Sequence, residues 1–126
     1  MPDRADRTAR PRLLLVEDDR ATYTALKGIL SLRGWDVTVA TTLGDAGRAI
    51  GAGGVDAVVL DLMLPDGDGT ALLEAIRRDS PGLPVVVTTG SGDDRSLAQV
   101  AHLAPTVLLR KPIVLADLLK AINPAA

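Results

Sequence analysis

Five short apolar runs alternate along the chain with segments whose apolar residues recur three and four positions apart. Leu13-Leu14-Leu15-Val16 is the first run, closed by three acids, Glu17, Asp18 and Asp19. From Arg20 to Arg33 the residues Tyr23, Leu26, Ile29 and Leu30 follow helical spacing, and Gly34 supplies a stop. Trp35 to Ala40 is a β-branched, alternating strand, with Trp35 expected to pack over the preceding helix end. Thr42-Leu43-Gly44-Asp45 has the shape of a capping box, and Leu43, Ala46, Gly47 and Ile50 give a weak stripe ending at Gly51 to Gly54. Ala57-Val58-Val59-Leu60 then runs into Asp61, too short for a helix and bounded by Pro65 and Gly67.

The second half repeats the pattern. Leu72, Leu73 and Ile76 mark a helix ending near Asp79-Ser80-Pro81-Gly82, and Pro84 to Thr89 is a fourth strand with hydroxyls at its end. Gly90-Ser91-Gly92 reads as a mobile connector, followed by a poor helix over Asp93 to Leu103 whose expected buried set is Leu97, Val100 and Ala101. Thr106 to Leu109 is the fifth strand, ending at Arg110-Lys111-Pro112, and Leu115, Leu118, Leu119 and Ile122 form an amphipathic last helix. Apolar strands separated by crossover helices pair in parallel with both faces covered. The expected class is therefore α/β, a doubly wound (βα)5 fold with a five-stranded parallel sheet.

Composition narrows the reading without redirecting it. At 126 residues the chain holds one domain that buries roughly two-thirds of its unfolded surface. With only Tyr23 and Trp35 aromatic, its core is aliphatic. A net charge of −2 leaves no electrostatic footprint for nucleic acid or an anionic membrane. The absence of cysteine removes disulfides, thiol catalysis and Cys-ligated metals, and no apolar segment approaches the ~20 residues of a membrane span. Residues 1–11 alternate Asp and Arg around two prolines and read as a flexible tail rather than a secretory signal; 124–126 form a second tail. A cytoplasmic protein is expected, with His102 a surface residue.

Chemistry gathers at the strand ends. In the strand order 2-1-3-4-5 the first and third strands are neighbours, so Glu17, Asp18, Asp19, Asp61, Thr89 and Lys111 converge on one edge of the sheet. Clustered carboxylates repel and raise one another's pKa unless a hard divalent cation or the lysine compensates. Mg²⁺, Lys111 and a threonine hydroxyl would stabilise charge on a phosphoryl group in transit to Asp61 as nucleophile, giving an aspartyl phosphate.

These fragments, Leu-Val-Glu17-Asp18-Asp19, Leu60-Asp61-Leu-Met-Leu-Pro65-Asp-Gly-Asp-Gly69, Val-Val-Thr88-Thr89-Gly90 and Arg110-Lys111-Pro112, resemble a receiver domain of two-component response regulators over about residues 12–123. The resemblance implies a flavodoxin-like fold and a phosphoacceptor at Asp61. It implies Mg²⁺ held by Asp18 directly, by Glu17 largely through water, by Asp61 and by the backbone carbonyl of Met63. It further implies Thr89 rather than Thr88 as the hydroxyl, a cis Lys111–Pro112 bond, and Asp19 as a loop residue or helix cap. The implied partner is a sensor histidine kinase or phosphotransfer protein, with output by contact to a downstream protein from a monomer or weak dimer. Such a domain assists its own phosphorylation and dephosphorylation, with Met63 and Ser91 at tuning positions, and is not a turnover enzyme. With only Pro124-Ala125-Ala126 beyond Asn123, either a stand-alone regulator acting by protein contact or a fragment of something larger is expected.

One departure stands out: the family's usual Tyr or Phe three residues before the lysine is Leu108 here, so an aromatic switch cannot operate. That leaves an alternative, a receiver-like interaction module working without phosphorylation, against which the complete set Glu17, Asp18, Asp61, Thr89 and Lys111 argues. Asp66-Gly67-Asp68-Gly69-Thr70 resembles the haloacid-dehalogenase signature, but Asp66 lies beyond Pro65 instead of directly after its strand. An EF-hand starting at Asp66 fails because Thr70 and Arg77 occupy ligand positions. Asp66 and Asp68 are expected to be solvated on the pocket rim.

Overall fold

The computed structural model describes residues 10–90, 98 and 100–122. Five strands, β1 (Arg12–Val16), β2 (Asp36–Ala40), β3 (Ala57–Asp61), β4 (Val85–Thr89) and β5 (Val107–Arg110), form one sheet in the order β2-β1-β3-β4-β5, each pair parallel. The expected doubly wound topology is present. Between the strands lie helices α1 (Arg20–Leu32), α2 (Leu43–Gly51) and α3 (Thr70–Asp79), with a C-terminal helix over Leu115–Ala121. Ala98 and residues 100–102 are helical as well, and the expected helix's earlier residues, 93–97, lie outside the described residues.

Two aliphatic cores flank the sheet because side chains of a strand alternate between its faces. Leu14, Val16, Val58, Leu60, Val85 and Val87 meet Ala46 of α2, Leu73 and Ile76 of α3, and Val100 on one face. Leu13, Leu15, Ala57, Val59 and Val86 meet Leu26 and Leu30 of α1, Trp35, Leu118 and Ile122 on the other. Both sets of helices thus bury an apolar stripe, and the central strands must be apolar at consecutive positions. β3 and β4 are buried throughout, whereas β2 alternates and β5 is only half-buried, as edge strands should be.

Several boundaries differ from the sequence pattern. Trp35 precedes β2: its N–H donates to the Leu30 carbonyl at 3.1 Å, and its indole is buried beneath α1, with Nε1 unpaired among the described residues. β5 begins one residue later than expected: the Thr106 N–H donates to the Val85 carbonyl at 2.8 Å, but the Val85 N–H returns to the Thr106 side chain, whose Oγ1 accepts it at 2.9 Å. Ala101 is exposed rather than buried, and half-buried Leu103 packs on the core in its stead. Arg10 and Pro11, at the end of the stretch that composition marks as a tail, are bonded to the fold. Arg10 donates to the Ser31 and Gly34 carbonyls at the end of α1, and Pro11 accepts from Asp36. Gly34 has φ +103°, the left-handed stop that the sequence predicts.

Candidate functional site

The site begins where β1 ends. The Glu17 N–H donates to the Ala40 carbonyl at 3.0 Å, extending the ladder by one residue and carrying the Glu17 side chain into the interior, 2% exposed. Asp18 is exposed, and Asp19 turns away to cap α1, accepting from the Thr22 N–H at 2.9 Å and the Thr22 hydroxyl at 2.6 Å. Those bonds, the hydroxyl's first, hold the Asp19 carboxyl below its usual pKa. Of the two roles expected for Asp19, loop residue or helix cap, the structure shows the cap. The Asp19 N–H in turn donates to Glu17 Oε2 at 3.1 Å, fixing one carboxylate with the next residue but one.

Asp61 is the last residue of β3, 3% exposed and opposite Thr88 of β4. Its two oxygens have different partners. Oδ1 accepts from the Met63 N–H at 3.1 Å, and Oδ2 accepts from Lys111 Nζ at 2.8 Å. The same ammonium reaches Glu17 Oε1 at 3.2 Å, so Lys111 bridges two buried carboxylates from different strands. Its backbone N–H is held by the Thr89 carbonyl at 2.7 Å, and the Lys111–Pro112 bond is cis, as the resemblance implies.

The charges do not balance by themselves. Glu17, Asp18 and Asp61 each offer a carboxylate oxygen, all lying within 4.8 Å of one another, and among the described residues Lys111 is the one cation bonded to any of them. Burial raises the pKa of Glu17, helped by the Asp61 charge and opposed by the Asp19 N–H and by Lys111. For Lys111 burial disfavours the charged form, but the hydrogen bond and charge of Asp61, with those of Glu17, outweigh it and raise its pKa. Three hard oxygen donors carrying excess negative charge fit a hard divalent cation such as Mg²⁺. Met63 exposes its side chain and contributes its amide to Asp61, a contact that the sequence did not disclose.

Thr89 is buried at the end of β4, its hydroxyl facing the Gly90 carbonyl at 3.5 Å, and Thr88 is buried one residue earlier. Among the described residues no hydrogen bond joins either hydroxyl to the acids. The structure therefore brings Glu17, Asp18, Asp61 and Lys111 into one cluster, with Thr89 joined to it through its main chain.

The stretch after Asp61 is more ordered than a solvated rim. Met63–Leu64 and Gly67–Asp68 form a small antiparallel ladder, and the Gly69 N–H returns to the Leu62 carbonyl at 2.8 Å. A Cβ at Gly69 would lie 3.1 Å from the Asp61 carbonyl oxygen and 3.3 Å from Leu62 Cα, so any larger residue would push these backbones apart by a few tenths of an ångström. Asp66 and Asp68, though exposed, are engaged: Asp66 accepts from the Leu43 and Gly44 N–H groups, and Asp68 accepts from the Thr70 N–H and hydroxyl. Neither bond is written in local spacing for Asp66, whereas Asp68 two residues before Thr70 has the form of a helix-entry turn.

The family model of the response regulator receiver domain matches residues 13–123. The chain belongs to this family. Among curated relatives, the receiver domain is 35% identical over 114 residues to the swarming motility regulation protein RssB of Serratia marcescens, covering 88% of this chain and 52% of that protein. It is 36% identical to the photosynthetic apparatus regulatory protein RegA of Rhodobacter capsulatus, covering 87% and 60%. The chain thus spans about half the length of these relatives. Among solved structures, the CheY-like receiver domain protein of Methanospirillum hungatei superposes with a TM-score of 0.85 at 30% identity, covering 90% of this chain and 91% of that one. The non-phosphorylated HemR receiver domain of Leptospira biflexa gives 0.82 at 31%, covering 93% and 98%. Receiver domains are signalling modules of two-component systems, and both fold and family agree with the sequence reading.

Proposed function

We propose that this receiver domain accepts a phosphoryl group on Asp61 from a partner histidine kinase or phosphotransfer protein and signals through a downstream protein. The observation that carries the reading is the Lys111 ammonium bridging buried Asp61 and Glu17 at 2.8 and 3.2 Å, with Asp18 completing an oxygen cluster. Glu17, Asp18, Asp61 and the Met63 carbonyl would hold Mg²⁺, which when bound supplies positive charge against the carboxylates and the phosphoryl oxygens. Asp61 provides the nucleophile: one carboxylate oxygen bonds to phosphorus as the donor's P–N or P–O bond breaks. The Met63 N–H and Lys111 hold that carboxylate at the mouth of the strand, and Lys111 stays charged to offset the negative charge gathering there. The Thr89 hydroxyl donates to a phosphoryl oxygen.

The domain works in the cytoplasm as a monomer or weak dimer, turns over no external substrate, and touches neither nucleic acid nor membrane directly. Among the described residues no helix is long and apolar enough to cross a membrane. Incubation with Mg²⁺ and acetyl phosphate followed by intact-mass measurement tests the proposal. One phosphoryl increment is expected on the wild type and none on Asp61→Asn; no increment on the wild type, or equal increments on both, overturns it.

A further inference from the structure

The loop that follows the phosphoacceptor strand is fastened to a neighbouring helix by a residue that the chemistry above leaves unused. Asp66, exposed and five residues beyond Asp61, spreads its carboxylate over the first turn of α2: Oδ1 accepts from the Leu43 N–H at 2.8 Å and Oδ2 from the Gly44 N–H at 3.2 Å. A helix leaves its first amides without internal partners, and here they are divided between two caps. Thr42, the residue that precedes the helix, takes only the Asp45 N–H at 3.1 Å; the two before it go to Asp66, more than twenty residues away in sequence. These bonds, the Leu43 N–H first, hold the Asp66 carboxyl below its usual pKa.

The other side of the same turn reaches the site. Asp66 lies between the paired segments Met63–Leu64 and Gly67–Asp68, and the Met63 N–H donates to Asp61 Oδ1 at 3.1 Å. Gly67 lets the turn lie against the helix, having φ +144° and leaving a would-be Cβ 3.4 Å from Leu43 Cδ1. An unanchored ladder of two residues a side has little stability of its own. The Gly69 N–H bond to Leu62 and half-buried Leu64 hold its base, and Asp66 supplies the tie to α2 at its tip.

We propose that Asp66 is a positioning residue: by pinning the turn to α2 it fixes the Met63 N–H and, through it, the orientation of the Asp61 carboxylate. The proposal rests on Asp61 being the phosphoacceptor. Its rival is that Asp66 merely stabilises α2, and Thr42→Ala separates the two because it removes the helix's own cap without touching the turn. Amide NMR of the unphosphorylated, metal-free protein is expected to show the Met63 signal displaced and its exchange accelerated in Asp66→Ala but not in Thr42→Ala. Phosphorylation by acetyl phosphate at saturating Mg²⁺ should slow roughly 3- to 10-fold in Asp66→Ala and by less than about 2-fold in Thr42→Ala, since small misplacements of a reacting group cost rate steeply. Asp66→Asn, which keeps one carbonyl acceptor, should fall between Asp66→Ala and the wild type. An unmoved Met63 amide in Asp66→Ala, or equal slowing in Asp66→Ala and Thr42→Ala, overturns the proposal. If the wild type and all variants alike take no phosphate, it is the phosphoacceptor reading that fails, and the positioning role falls with it.

Discussion

Lys111 and Gly69 show how much single residues hold at this site. Lys111 is the only cation bonded to Glu17 and Asp61 among the described residues. Removing one partner of a buried ion pair leaves the remaining charges without compensation, although Lys111 is itself 31% exposed and water screens part of the effect. Lys111→Met should therefore cost about 1–3 kcal/mol at neutral pH in metal-free protein. The pH dependence follows from Glu17. Because burial raises its pKa, the folded chain keeps this proton to higher pH than the unfolded chain does, and stability declines as pH rises through the raised value. Without the lysine the pKa rises further, so the gap between wild type and Lys111→Met should widen as pH rises above the ordinary Glu value in urea denaturation. A constant gap would refute this account. Gly69→Ala tests the close approach, since φ at Gly69, the residue that precedes α3, is an ordinary −67° that alanine can adopt. Its methyl would meet backbone atoms of Asp61 and Leu62 that cannot rotate away, and a loss of about 1–3 kcal/mol is expected in the same measurement.

Helix ends carry much of the ordering among elements. The N-terminus of α1 is capped by Asp19 and that of α2 by Thr42 and Asp66, and both Asp carboxyls are held below their usual pKa by the bonds they accept. Groups with depressed folded pKa values contribute stability above the ordinary Asp value, about 3.9, and lose it as pH falls through the folded value. The acid limb of the unfolding curve should become shallower in Asp19→Asn and Asp66→Asn, as circular dichroism against pH would show. At its other end α3 is tied by Arg77, whose guanidinium donates to the Leu83 carbonyl at 2.7 Å and the Ala104 carbonyl at 2.8 Å. Ala104 has φ +52° where the chain turns toward β5, and Arg77 holds that turn to the start of β4. Arg77→Ala should lower thermal stability by about 1–2 kcal/mol by releasing charge-assisted bonds. An unchanged midpoint would show that these bonds contribute nothing.

Across the whole molecule the sheet is strongest at its middle. β1, β3 and β4 lie between the two aliphatic cores, while β2 and β5 have one neighbour each and more exposed residues. Local opening follows burial and bonding, so hydrogen exchange should be slowest at Leu14, Val59 and Val87 and faster along β2 and β5. Because Glu17 and Asp61 end the protected strands whereas Lys111 follows a half-buried edge strand, the acids have the firmer support. Leu108, in the position where the family usually has an aromatic ring, is half-buried against the core that includes Val100.

The chain's own pattern determined the sheet. Consecutive apolar residues can be satisfied only by strands covered on both faces, and acids or a lysine directly after such strands must emerge at one edge. The caps formed by Asp19 and Thr42 were also legible, since a side chain reaching three residues ahead depends on local spacing alone. Tertiary structure decided what spans long separations: Lys111 on Glu17, 94 residues apart, Lys111 on Asp61, 50 apart, and Asp66 on the amide of Leu43, 23 apart. It also decided that the Trp35 indole nitrogen has no partner among the described residues, and how closely the Gly69 backbone approaches Asp61 and Leu62. Periodicity is encoded over a few residues, whereas a contact between elements depends on strand register and on how closely two backbones approach, and neither is written in any one stretch of the chain.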